Sequence, residues 1–163
     1  MAQLGQGLED SALSQAIKGV EWLIPLLQSI HIVTIGVVFV SSLMIALRVL
    51  GRMRADEPFA AVWGRFAPFM WGGLIVMAAT GLILIVGEPV REVTALSFWL
   101  KMGLVVVAAS GTAGFGRLRA AASFSTAAKT GAVALIVVWL AIIFLGRAIA
   151  YDTEVWGALS LHA

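Results

Sequence analysis

The chain contains no cysteine and only two histidines among 163 residues. The missing thiols exclude disulfides, thiolate metal ligands, iron–sulfur clusters and thiol nucleophiles together. Charge is also scarce. Lys, Arg, Asp and Glu make up 12% of the chain, against about 25% in soluble domains. The formal net charge is +2, and no basic run is interleaved with aromatics, so a nucleic-acid partner is set aside. The sequence pI near 9.5 reflects a few loop arginines.

What is present is apolar. Hydrophobic residues account for 61%, and the mean hydropathy is +0.99. Four segments are nearly free of strong charges: Trp22 to about Leu50, Phe66 to Gly87, about Ser97 to Gly116, and about Thr130 to Tyr151. Each approaches or exceeds the ~20 residues that a helix needs to cross a bilayer. None alternates polar and apolar as an outer-membrane strand does. The expected fold is all-α: a single integral membrane domain over residues 1–163, a four-helix bundle in contact with the lipid bilayer. Ahead of it, Leu8-Glu9-Asp10-Ser11 followed by Ala12, Leu13, Ala16, Ile17 and Val20 predicts a short amphipathic helix. Asp10 or Ser11 would cap it, and it would lie flat at the interface. The acidic opening does not read as a signal peptide, and Ala2 excludes an N-terminal myristoyl site.

Loop charges predict the orientation. Loop one (Gly51 to Arg65) holds Arg52, Arg54 and Arg65, with Arg48 snorkelling from the first helix. Loop three (Arg117 to Lys129) holds Arg117, Arg119 and Lys129. Loop two has one base, Arg91, against Glu88 and Glu92. The positive-inside rule places loops one and three in the cytoplasm and both termini outside. The expected location is therefore a bacterial inner (cytoplasmic) membrane, multi-pass, with periplasmic N- and C-termini. Trp22, Trp99, Tyr151 and Trp156 fall where an outer aromatic belt would lie.

His31 lies in the uncharged run from Trp22 to Leu47, roughly 13 Å below Trp22 along a helix axis. An ionisable residue at that depth marks a candidate site. The other histidine, His162, is next to the chain end. The same topology puts Met77 and Thr80 at similar depth, with Lys101 and Arg147 above, nearer the outer surface. An imidazole beneath two cations suits haem b: His31 as the axial metal ligand, Lys101 and Arg147 near the propionates, Met77 as a sixth ligand. Gln28 and Thr34 flank His31 at i−3 and i+3 and could orient its ring. A symmetric dimer would bring a second His31. Each residue also has a simpler reading. His31 can bond a neighbouring helix with no ligand. Lys101 can snorkel past Trp99, and Arg147 can snorkel or pair with Asp152 or Glu154. The methionines fill gaps, and the glycines permit close helix packing.

Several stretches carry a resemblance: Ser29-Ile30-His31, Ala46-Leu47-Arg48-Val49-Leu50-Gly51, Trp71-Gly72-Gly73, Thr80-Gly81-Leu82-Ile83-Leu84, Phe98-Trp99-Leu100-Lys101-Met102 and Gly146-Arg147-Ala148-Ile149-Ala150-Tyr151. Over about residues 20 to 151 the chain resembles an uncharacterised family of small bacterial four-helix membrane proteins. That family usually has Asp-Leu-Arg where this chain has Ala46-Leu47-Arg48. More distantly it is similar to the copper-resistance membrane domain and the membrane-bound protoporphyrinogen oxidase. Those share a first-helix histidine and a lysine opening a later helix, matching His31 and Lys101. The oxidase resemblance implies a haem or porphyrin at His31. It does not extend to the enzyme activity: Ala108 to Phe115 holds no second histidine, and an Asn-Glu-x-Pro segment is absent.

Three functions follow as expectations. The first is a cytochrome b-like carrier binding haem b for electron transfer or porphyrin handling. The second is a non-catalytic accessory subunit of a larger membrane complex. The third is copper handling or transport through His31, Met77 and Met102. No carboxylate falls inside the expected spans and no nucleophile–base pair is visible, which argues against a stand-alone enzyme.

Overall fold

The computed structural model describes residues 2–157, so His162 lies outside it. Two short helices, α1 (Ala2–Glu9) and α2 (Ala12–Lys18), precede the long α3 (Leu23–Val49) and α4 (Phe59–Gly87). A short α5 (Pro89–Val93) leads to α6 (Leu96–Gly116), followed by α7 (Thr126–Ala148), a 3-10 turn (Ile149–Tyr151) and α8 (Asp152–Trp156). No strand occurs among the described residues. α3, α4, α6 and α7, the last continuing into α8, are long and apolar enough to span a membrane. The protein is an all-α, multi-pass membrane bundle, as its hydropathy requires: in hydrocarbon, a helix satisfies its own backbone polar groups.

Local chemistry sets the helix ends. Gly51, at φ +69°, ends α3 in a left-handed residue. The Gly51 amide donates to the Arg48 carbonyl and the Arg52 amide to the Leu47 carbonyl, the paired bonds of a Schellman stop. Ser11 rather than Asp10 caps α2, accepting from the Ser14 amide at 3.2 Å. Ser125 caps α7 in the same way through the Ala128 amide. α4 begins at Phe59, well before the expected Phe66. Arg65 interrupts the uncharged run but not the helix, because its guanidinium turns to Glu57 at 3.3 Å.

α3 packs most extensively on α4, and α6 on α7, while α3 against α7 joins the two pairs. The main apolar core fills one half of the bundle: Val38, Ile45 and Val49 of α3, Phe59 and Met70 of α4, Ala108 and Phe115 of α6, Leu135, Trp139 and Ile142 of α7. A smaller cluster at the opposite end gathers Ala95, Phe98 and Ile149, with Ile85 and Met102 against it. The α3–α4 crossing is tight. A Cβ on Gly73 would stand 2.6 Å from Val38 Cγ2, and Val is stiff at χ1, so it cannot swing away.

The two ends are built differently. At the arginine end, Arg48 does not snorkel to the headgroups. Its Nε and Nη2 donate to the Glu57 carbonyl at 2.9 and 2.6 Å, and its guanidinium lies over Phe124. The Glu57 carboxylate also holds Arg54 and Arg65, so one residue clips loop one against the bundle. At the other end α1 packs on α5 and α2 on α4, with Ile17 against Gly87. The buried Asp152 joins the chain end to α6. Its Oδ2 accepts from the Leu96 amide at 3.1 Å, and its Oδ1 accepts from the Ser97 amide and hydroxyl at 3.0 and 2.7 Å. Trp156 Nε1 donates to the same Ser97 hydroxyl at 2.8 Å. A carboxylate here satisfies orphan donors at a helix N-terminus and meets the positive end of its dipole.

Two stability outcomes follow. Gly73→Ala forces α3 and α4 apart and lowers stability in detergent by about 1–3 kcal/mol, whereas Gly72→Ala, with open space at its Cβ position, is near neutral; paired thermal melts separate them. Asp152→Ala leaves the α6 N-terminus uncapped at a cost of about 1–3 kcal/mol, with amide exchange accelerated first at residues 96 and 97.

Candidate functional site

His31 projects from α3 toward α4, in the half of the bundle away from the main core. Its Nδ1 lies 2.8 Å from Thr80 Oγ1. The Thr80 hydroxyl in turn lies 2.9 Å from the Val76 carbonyl and 3.2 Å from that of Met77, to which it can donate. A hydroxyl proton given to either carbonyl makes Nδ1–H the donor to Oγ1 and leaves the imidazole's lone pair on Nε2; the other tautomer reverses both roles. Thr80 is 7% exposed, so the bond forms in a dry setting. Gly81 follows it and lets the ring approach closely: a Cβ there would stand 3.4 Å from His31 Cε1. α4 thus supplies both the partner and the space for the ring.

Lys101 of α6 is within electrostatic reach of His31. It is only partly exposed and makes no ion pair within bonding distance among the described residues. Its ammonium sits 5.4 Å from the centre of the Phe98 ring, and its stem runs past Gly146 of α7. Charges on Glu92 and Arg91 of α5 reach it from that end of the bundle. His31 and Thr80 thus join α3 to α4, while the contacts shown for Lys101 are to Phe98 on its own helix and to Gly146 of α7.

The other expected site residues are placed differently. Arg147 is exposed, with its guanidinium 5.6 Å from the centre of the Tyr151 ring. The Asp152 carboxylate is turned to α6. Thr34 donates to the Ile30 carbonyl at 2.7 Å and turns its methyl toward Gly73. Ring orientation comes from Thr80 across the helix pair rather than from Thr34. Gln28 is partly exposed, and no hydrogen bond ties it to His31. Met77 is buried at 8% exposure, and the role shown for it is its carbonyl's, accepting from Thr80. No group of three or more His, Asp or Glu residues converges among the described residues.

Two surface grooves lie elsewhere. One, between α6 and α7, includes Trp99 and Phe144; the other, on the α3–α4 face, includes Gly36 and Phe69. Neither is lined by His31.

Sequence reasoning placed Thr80 at the depth of His31 but did not join them. The Thr80-Gly81 pair, a hydroxyl beside a missing side chain, was the available signal. The buried Asp152 was missed because it stands one residue beyond the expected fourth span. No family model, no curated protein and no solved structure matches this chain.

If Thr80 orients the imidazole, Thr80→Val removes a bond in the membrane interior and costs about 0.6–1.7 kcal/mol. Thr80→Ser, which keeps the hydroxyl, restores most of it. Thermal unfolding in one detergent, with the ring Nδ1 resonance followed by NMR, provides the check.

Proposed function

We propose that this protein lies in a bacterial inner membrane with both ends periplasmic, and that it binds haem b or a related porphyrin through His31. The orientation rests on loops one and three, which carry six Lys or Arg residues between them, beside a single base in loop two. The observation that carries the binding reading is the engagement of Nδ1 by Thr80. Iron-ligating histidines are held through the nitrogen that does not meet the metal, and this arrangement leaves Nε2 as the ligating atom. Lys101 adds a reason. An ammonium that makes no ion pair among the described residues is costly inside a membrane, and an anionic propionate would offset that cost. His31 would hold the group through Nε2, and Lys101 would meet its negative charge. When bound, the group would supply reversible one-electron chemistry, with electron transfer or porphyrin handling as the role.

A second reading has its own support. The His31–Thr80 bond is a complete interhelical tie, and neither surface groove reaches it. A non-catalytic accessory subunit of a membrane complex would use the histidine in that way alone.

Expression with a haem precursor, followed by oxidised and reduced absorption spectra of the purified protein, separates the two. Haem binding gives a Soret band that disappears in His31→Ala, weakens in Lys101→Gln and survives Arg147→Gln. A folded, colourless protein, or a band indifferent to His31→Ala, supports the accessory reading. Metal analysis of the same sample tests copper at His31.

A further inference from the structure

The groove between α6 and α7 is about 590 Å³ in volume and almost wholly apolar. Trp99 and Trp156 stand at its terminal end, Gly103 and Leu104 line it from α6, and Phe144 and Leu145 line it from α7. It lies on the outside of the α6–α7 pair. Phe144, which forms one wall, is 68% exposed. A surface of this kind at membrane depth is covered by acyl chains. Its depth comes partly from Gly103, whose missing Cβ leaves open space with nothing within 4 Å.

The terminal end of the groove adds a charge. Arg147 follows Phe144 by three residues, which places it on the adjoining flank of α7 about one turn nearer the terminal end. It is exposed, stacks on Tyr151, and makes no ion pair among the described residues. A guanidinium at that level, beside interfacial Trp and Tyr rings, matches a phosphate headgroup in both height and charge. We infer that this face holds an anionic phospholipid, one acyl chain in the Gly103–Phe144 groove and the headgroup phosphate on Arg147. The Trp99 and Trp156 rings flank the glycerol level. Trp156 is fixed there by its bond to the Ser97 hydroxyl, so the Asp152 cap also shapes this rim.

The full-length protein is reconstituted in phosphatidylcholine vesicles containing a minor fraction of phosphatidylglycerol brominated on its acyl chains. Trp22, Trp63 and Trp71 are replaced by phenylalanine, which leaves the groove rings Trp99 and Trp156 and the buried Trp139. The expected result is tryptophan quenching beyond that given by brominated phosphatidylcholine at the same fraction. Gly103→Leu, whose Cβ enters open space, fills the groove and abolishes the excess. Arg147→Gln removes the preference for the anionic lipid by about fivefold, the worth of one basic contact at a membrane surface, while leaving quenching by brominated phosphatidylcholine unchanged. Equal quenching by the two lipids overturns the headgroup assignment. Quenching indifferent to Gly103→Leu overturns the groove. Retention of the parent helical circular dichroism shows that each variant is folded.

Discussion

The distance between α3 and α4 is the constraint on which the rest of the bundle depends. Inside a bilayer no hydrophobic force presses one helix onto another, so close packing and polar contacts must hold the pair. Gly73 lets Val38 nearly touch the backbone of α4. Two turns further along, Gly81 lies against the His31 ring, and Thr80 beside it is in reach of Nδ1. A side chain at Gly73 would widen the gap. The interior imidazole would then lose its partner, and a polar group would be left unpaired in oil.

The halves of the bundle divide the work. The arginine half is filled by large apolar side chains and closed by Glu57, which gathers Arg48, Arg54 and Arg65. This half has the rigidity of a packed core, where interdigitated side chains leave little room for motion. The terminal half has a thinner cluster and carries the His31–Thr80 tie between α3 and α4, Lys101 over Phe98, and the α6–α7 groove with Arg147 on its outer side. Asp152 fixes the start of α6 and, through Ser97, the Trp156 ring. One buried carboxylate thereby sets the origin of the helix that carries both Lys101 and Gly103.

Much of the architecture was legible in the sequence because the membrane allows few solutions. Four long apolar runs in a charge-poor chain had to become helices. The Arg48-Val49-Leu50-Gly51 ending anticipated the stop at Gly51. The start of α4 was less legible, because Arg65 breaks a hydropathy pattern without breaking a helix when a loop carboxylate such as Glu57 meets it. For the site, hydropathy placed His31, Lys101 and Arg147 in one half of the bundle; in the structure His31 meets Thr80 of α4, Lys101 lies over Phe98 beside Gly146 of α7, and Arg147 is exposed over Tyr151. Depth along a helix follows from counting residues, but the face a side chain takes depends on how the helix is rotated against its neighbours.

The sequence by itself determined the class of the protein: helices, their number and rough limits, and the uneven charge of their two ends. These follow from the cost of burying backbone polar groups and charges in hydrocarbon, a cost that each segment meets alone. Only the tertiary structure decided that His31 meets Thr80, that Asp152 caps α6, and that Arg147 lies over the Tyr151 ring. Those outcomes depend on helix rotation and approach, which are settled by small residues and by pairings between positions about fifty residues apart. No local pattern along the chain encodes such pairings.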